Sequence, residues 1–324
     1  MGMWDQVGWL PPQPPSFATL LDWYPTPLPL LPVTAILAAA LYIAGVLRLH
    51  TLRRRWPWIR TVSFLAGCLT LAAVTGLAIE GYGLKLFSAF MFQHLTLSIL
   101  VPPLLVLGAP GTLLLRATPH RGLGRVILLV ALAGLRSRLA RIVLHPGFTI
   151  PVFLLGYYGL YLSDLFDAAA STWIGHLGLE IFFLASGILF IVPILSVDPL
   201  PVRQSNLGRF LDIFVEMPLH VFIGVILMMA PRTLTQTFAS PPAGWNVDPV
   251  SDQAIAGALA WSYGEPIAVA TVLVFAVRWR RDEERSAARR DVDDGEHDEQ
   301  LAAYNAFLQR LQPPARGTAP PEEP

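Results

Sequence analysis

The chain has 324 residues, 54% of them hydrophobic and only 14% charged, with zero formal net charge. Soluble domains carry about 25% charged residues, so the composition excludes an ordinary soluble enzyme or nucleic-acid-binding module and points to a chain in contact with lipid. The one cysteine, Cys68, lies inside an apolar run and excludes both a disulfide framework and a CxxC metal or redox motif.

Residues 1–29 are rich in proline and lack the basic and apolar regions of a signal peptide. They read as an uncleaved extracytoplasmic arm lying at the interface, where Trp4 and Trp9 are favoured. Lipid offers the backbone no hydrogen-bond partners, so each crossing needs about 20 apolar residues in a helix. Seven windows qualify: 30–49, 60–79, 86–108, 147–163, 173–196, 210–231 and 253–277. Together they define a seven-helix transmembrane domain over 30–277. The run 126–135 is flanked by arginines and too short to cross, so it reads as an interfacial helix. Residues 278–324 form a charged cytoplasmic tail, disordered or loosely helical, with one short amphipathic stretch from Asp298 to Leu311.

Charge alternates between the connections. Arg48, Arg53, Arg54, Arg55 and Arg60 mark the first, and Arg116, Arg121, Arg125, Arg136, Arg138 and Arg141 the third. Arg203 and Arg209 mark the fifth, and Arg278, Arg280 and Arg281 open the tail. The intervening connections hold Glu80 and Lys85, then Asp164 and Asp167, then Arg232, Asp248 and Asp252. Lysine and arginine resist translocation, so the basic side is cytoplasmic. The expected fold is an all-α polytopic membrane helical bundle of about seven transmembrane helices, N-terminus outside and C-terminus cytoplasmic.

An ionisable side chain at mid-span costs about 2.5–3.5 kcal/mol on insertion scales. Those present are His94 beside Gln93, His176 and Glu180, Glu216 and His220, and Glu265; Asp252 and Gln253 open the seventh span. His176–Glu180 and Glu216–His220 are i, i+4 pairs, each on one helix face. Histidines converging from different helices with carboxylates behind them form a candidate transition-metal site of His94, His176, Glu180 and His220. Met217 and Met228 offer soft thioethers or simple packing, and each histidine can equally serve an interhelical hydrogen bond. Pro102, Pro103 and Pro266 remove backbone donors and predict kinks around a polar interior between spans three, five, six and seven. His50, His120, His145 and His297 flank helices on the cytoplasmic side, with His145–Pro146 just before the fourth span.

Several stretches together resemble the CtaG-type cytochrome c oxidase assembly factors. They are Gln93-His94 with VPPLLVLGAP at 101–110, HP at 145–146, YLSDLFDAAASTWIGHLGLEIFFLASGILF at 161–190 and SVDPLPVR at 196–203. EMPLHVFIGVILM at 216–228, DQAIAGALAW with YGEP at 252–266, and AYNAFLQRL at 303–311 continue the likeness. The resemblance covers about residues 60–311 and lacks the CopD-like membrane domain fused to some members. It implies a seven-helix, non-enzymatic membrane protein that helps assemble a heme–copper oxidase in the bacterial plasma membrane. It further implies copper supplied to, or retained for, the oxidase copper centre, with oxidase subunits as partners. By the same resemblance His94, His176 and His220 occupy the family's motif histidines, and Asp252 and Gln253 its DQ pair. Many members carry a further histidine about one turn after the position of His176. This chain has Glu180 there, which implies a mixed imidazole–carboxylate site.

Two other functions use the same residues. One is a heme-binding membrane protein with axial histidines; the other is a proton- or cation-coupled transporter with a path through Glu216, His220 and Glu265. No internal repeat and no nucleophile–base pair is present in the sequence.

Overall fold

The computed structural model describes residues 10–24, 26, 29–200 and 205–311, and every regular element among them is helical. Five helical segments are long and apolar enough to cross a membrane: Leu30–Thr51, Trp58–Gly76, Phe87–Ala117, Trp173–Leu195 and Pro249–Arg281. They coincide with five of the seven sequence windows. The windows 147–163 and 210–231 lie outside these five. The first is divided between α10, Pro146–Leu154, which carries Pro151, and the turn that follows it; the second falls on α13, Asn206–Met229, 24 residues long, whose side chains at 216, 217 and 220 are not described.

Proline fixes where the long segments loosen. The third comprises α5, Phe87–Leu95, a π-helical turn Thr96–Leu100, and α6, Val101–Leu107. Pro102 and Pro103 have no N–H for the carbonyls of Ser98 and Ile99, so the ladder widens just before them. Gly187 of α12, Trp173–Leu195, meets that turn closely: a Cβ there would lie 2.1 Å from the Ser98 carbonyl oxygen. A second π-helical turn, Leu155–Gly159, continues α10 and faces the first, with Ser98 Oγ 3.2 Å from Tyr157 Oη. The last segment breaks at Tyr263 between α14, Pro249–Ser262, and α15, Gly264–Leu311. Pro266 has no N–H for the Ser262 carbonyl. The cavity beside these breaks, about 40 Å³, is lined mostly by apolar groups including Pro103, Phe153, Phe190 and Ile213, with Ser98 and Thr271 the hydroxyls. The polar interior expected from the prolines is therefore small, because the widened turn accommodates the lost donors.

Carboxylates tie the helix ends. Asp252 of α14 accepts from the Phe87 and Ser88 amides and the Ser88 hydroxyl, capping α5. Gln253 Oε1 accepts from Leu234 N, and its amide donates to the carbonyls of Leu227 and Arg232. Asp198 accepts from Gly111 N and Thr112 N at the start of α7, Pro110–Ala117. Asp167 does the same for Gln236 N and Thr237 N. His145 caps α10, its Nδ1 accepting from Gly147 N. Gly224 and Gly257 let α13 and α14 touch backbone to backbone, for a Cβ on either would lie within 2.7 Å of the other's carbonyl oxygen. The run 126–135 falls in α8, Gly122–Arg136, whose apolar face is largely exposed.

The chain divides into two compact units, Met1–Leu273 and Val274–Pro324. In the second, the tail expected to be disordered or loosely helical is helical as far as Leu311. Its alanine, arginine, glutamate and glutamine are strong helix formers. Arg280–Glu284 pair at i, i+4 (3.5 Å), and Trp279 Nε1 donates to Glu283 at 2.7 Å.

Candidate metal centre

A short helix, α4 (Ala78–Gly83), follows directly on α3 (Trp58–Gly76), turning at Leu77, whose backbone is extended. Ala78 N donates to Asp22 O and Tyr82 Oη to Gln13 O, so the residues before the first span hold this helix in place. The consequence is that Glu80 points inward and is only 3% exposed. On α12, Thr172 caps the N-terminus, and His176 and Glu180 follow on one face, 3% and 5% exposed. His176 Nε2 lies 3.1 Å from Glu80 Oε1. One ligand atom from each of Glu80, His176 and Glu180 lies within 4.8 Å of the others.

Gln93 of α5 fixes the far side of Glu80: its amide nitrogen donates to Glu80 Oε2 at 2.5 Å and to the Val74 carbonyl at 3.0 Å. Glu180 Oε1 is buried with no hydrogen-bond partner, as is the hydroxyl oxygen of Thr26. Both residues line the same small cavity, about 10 Å³, with Glu80, Trp173 and His176. An acceptor left dry and unpaired costs about 1–3 kcal/mol, more when charged. A cation among these oxygens removes that cost. Ligands about 2.0–2.2 Å from one tetrahedral ion stand about 3.4 Å apart, near the 3.1 Å hydrogen-bond distance between His176 Nε2 and Glu80 Oε1. The donors are two carboxylates and one imidazole, a set suited to a borderline divalent ion such as Cu(II) or Zn(II).

The structure thus brings His176 and Glu180 together and places His94 elsewhere. His94 stacks between Phe183 (3.7 Å) and Tyr157 (4.6 Å), with Nδ1 2.7 Å from Tyr161 Oη. Its Nε2 faces Gly156, where an added Cβ would be 3.7 Å away. The side chains of His220, Glu216 and Met217 lie outside the described residues. Met228 packs on Gly257 at the α13–α14 crossing. Glu265 is exposed on the surface of its unit. Asp252 and Gln253 are the clasps described above. Trp4, Trp9 and Arg203 fall outside the described residues.

Sequence reasoning assigned Glu80 to a loop. The available signal was an acid directly after an apolar run in the tight connection IEGYGLK, too short to carry a charge far from the bundle. Gln93 is a polar residue inside an apolar span, and its role as the brace for Glu80 comes from the packing.

The model of the cytochrome c oxidase caa3 assembly factor family matches residues 40–282. The chain is 34% identical to uncharacterized proteins of Mycobacterium bovis and Mycobacterium tuberculosis, across 95% of its own length and 47% of theirs. It is 33% identical to an uncharacterized protein of Mycobacterium leprae, across 48% of that protein. The chain spans about half the length of the curated relatives it matches. No solved structure matches it.

Proposed function

As the chain belongs to the cytochrome c oxidase caa3 assembly factor family, we propose that it helps assemble a heme–copper oxidase by holding copper between Glu80, His176 and Glu180. The observation that carries this reading is the buried Glu180 carboxylate: its Oε1 has no hydrogen-bond partner, and it offers an oxygen within 4.8 Å of ligand atoms of Glu80 and His176. Copper is cargo here, supplied to or kept for the oxidase copper centre, and the role needs no bond-making chemistry. The partners are oxidase subunits and the lipid bilayer, and the location is the bacterial plasma membrane.

The donor set favours Cu(II) over Cu(I), since oxygen and imidazole donors replace the thiolates and thioethers that cuprous ions prefer. Glu80 and Glu180 supply charge, His176 supplies a neutral nitrogen, and Gln93 orients Glu80 as an outer support. The cavity is also lined by Thr26 and Leu30 at the start of the first span. The alternating charges of the connections support an extracytoplasmic position for that end, the side on which a copper-bearing oxidase domain would be met.

The test replaces the native protein with Glu180→Gln or Glu80→Gln in its own membrane and measures copper per purified oxidase. The expected result is oxidase with normal subunit content and depleted copper. Normal copper loading with both variants overturns the proposal.

A further inference from the structure

Glu265 stands apart from the metal centre and is the least conventional charge in the protein. Residues 253–264 before it and 266–277 after it carry no charge, so it lies at the midpoint of an uncharged stretch. Any placement that buries this stretch in hydrocarbon puts the carboxylate near the bilayer midplane. Carboxylates at that depth almost always face the bundle interior or a water-filled cavity and pair with another group. Glu265 is exposed on the outside of its unit, with no hydrogen bond or ion pair to it among the described residues.

Its neighbours on that face are exposed as well. Val269 (52%) and Leu273 (60%) follow it at four-residue spacing on α15, and Trp261 (44%) precedes it by four residues at the end of α14, across the break at Tyr263. Ala260 and Gly264, about 140° and about 100° round the helix from it, are buried. Pro266 adds a second demand on the same turn, because it leaves the Ser262 carbonyl without its helical donor and Ser262 is exposed. The face therefore offers a broad indole, two aliphatic side chains and a concentration of acceptors, and it calls for a donor.

We propose that the Trp261–Glu265–Val269–Leu273 stripe is a docking surface for a transmembrane helix of a second protein that presents an arginine, lysine or histidine near the midplane. A second copy of this chain fits poorly. A two-fold contact on the stripe sets each Glu265 against its twin, and like charges in lipid repel. The stripe shares no residue with Glu80, His176 or Glu180, so this inference stands or falls independently of copper.

The test places a photocrosslinking amino acid at Val269 in the full chain in native membranes, with a second at buried Ala256 as control. The Val269 probe is expected to capture one heterologous membrane protein, and the crosslinked peptide to map to a transmembrane helix with a basic residue. Glu265→Gln should reduce the yield about tenfold while leaving thermal stability and metal stoichiometry unchanged. Capture of another copy of this chain, capture of a helix with no basic residue, or a yield indifferent to Glu265→Gln overturns the proposal.

Discussion

His176 Nε2 lies 3.1 Å from Glu80 Oε1, a contact between residues 96 positions apart. It joins a helix one and a half turns long, just outside the second span, to a long helix elsewhere in the bundle. Gln93 from the third span completes the arrangement by holding the other oxygen of Glu80. The consequences can be measured residue by residue.

Gln93→Leu removes the brace on Glu80 and leaves all three donors in place. Cu(II) affinity is expected to fall about 10–100-fold, the usual cost of losing an outer support, with stoichiometry unchanged. Competitive titration against a Cu(II) chelator reads this directly.

His94→Phe should leave Cu(II) affinity at the wild-type value, because His94 is held in its own aromatic box. It strands the buried Tyr161 hydroxyl, at a cost of about 1–3 kcal/mol. The double variant with Tyr161→Phe should be less destabilised than the sum of the two single changes. Thermal unfolding in detergent, together with copper titration, checks both halves.

These two expectations show what the sequence carried and what it did not. The all-helical architecture was legible because hydrophobic windows report burial in lipid directly, and His176 and Glu180 were legible as an i, i+4 pair of costly residues. Glu80 was not, since the sequence gives no sign that Leu77 turns the chain and folds α4 back over the bundle. His94 and His176 are both costly polar residues in apolar spans, but that cost does not specify which helix faces meet. Asp252 and Gln253 stood out as polar residues, while their partners, the start of α5 and the loop after α13, are distant in sequence.

Asp252→Ala should destabilise the protein by about 1–3 kcal/mol, for it leaves the Phe87 and Ser88 amides without their cap. Asp252→Asn keeps one acceptor and should lose less. The measurement is the thermal midpoint of each variant in the same detergent.

Gly187→Ala should cost about 1–3 kcal/mol by overpacking, since its Cβ would meet the Ser98 carbonyl oxygen at 2.1 Å. Gly178→Ala on the same helix meets nothing within 4 Å and should be neutral or stabilising by up to about 1 kcal/mol. Comparing the two midpoints isolates the close approach of α12 to the π-helical turn.

The most direct measurement is a Cu(II) titration of the full chain in nanodiscs, wild type against Glu180→Gln and His176→Ala. One ion per chain in the wild type, with affinity at least tenfold lower in each variant, is the predicted result. Equal affinity in all three proteins, or no specific ion in the wild type, contradicts the account.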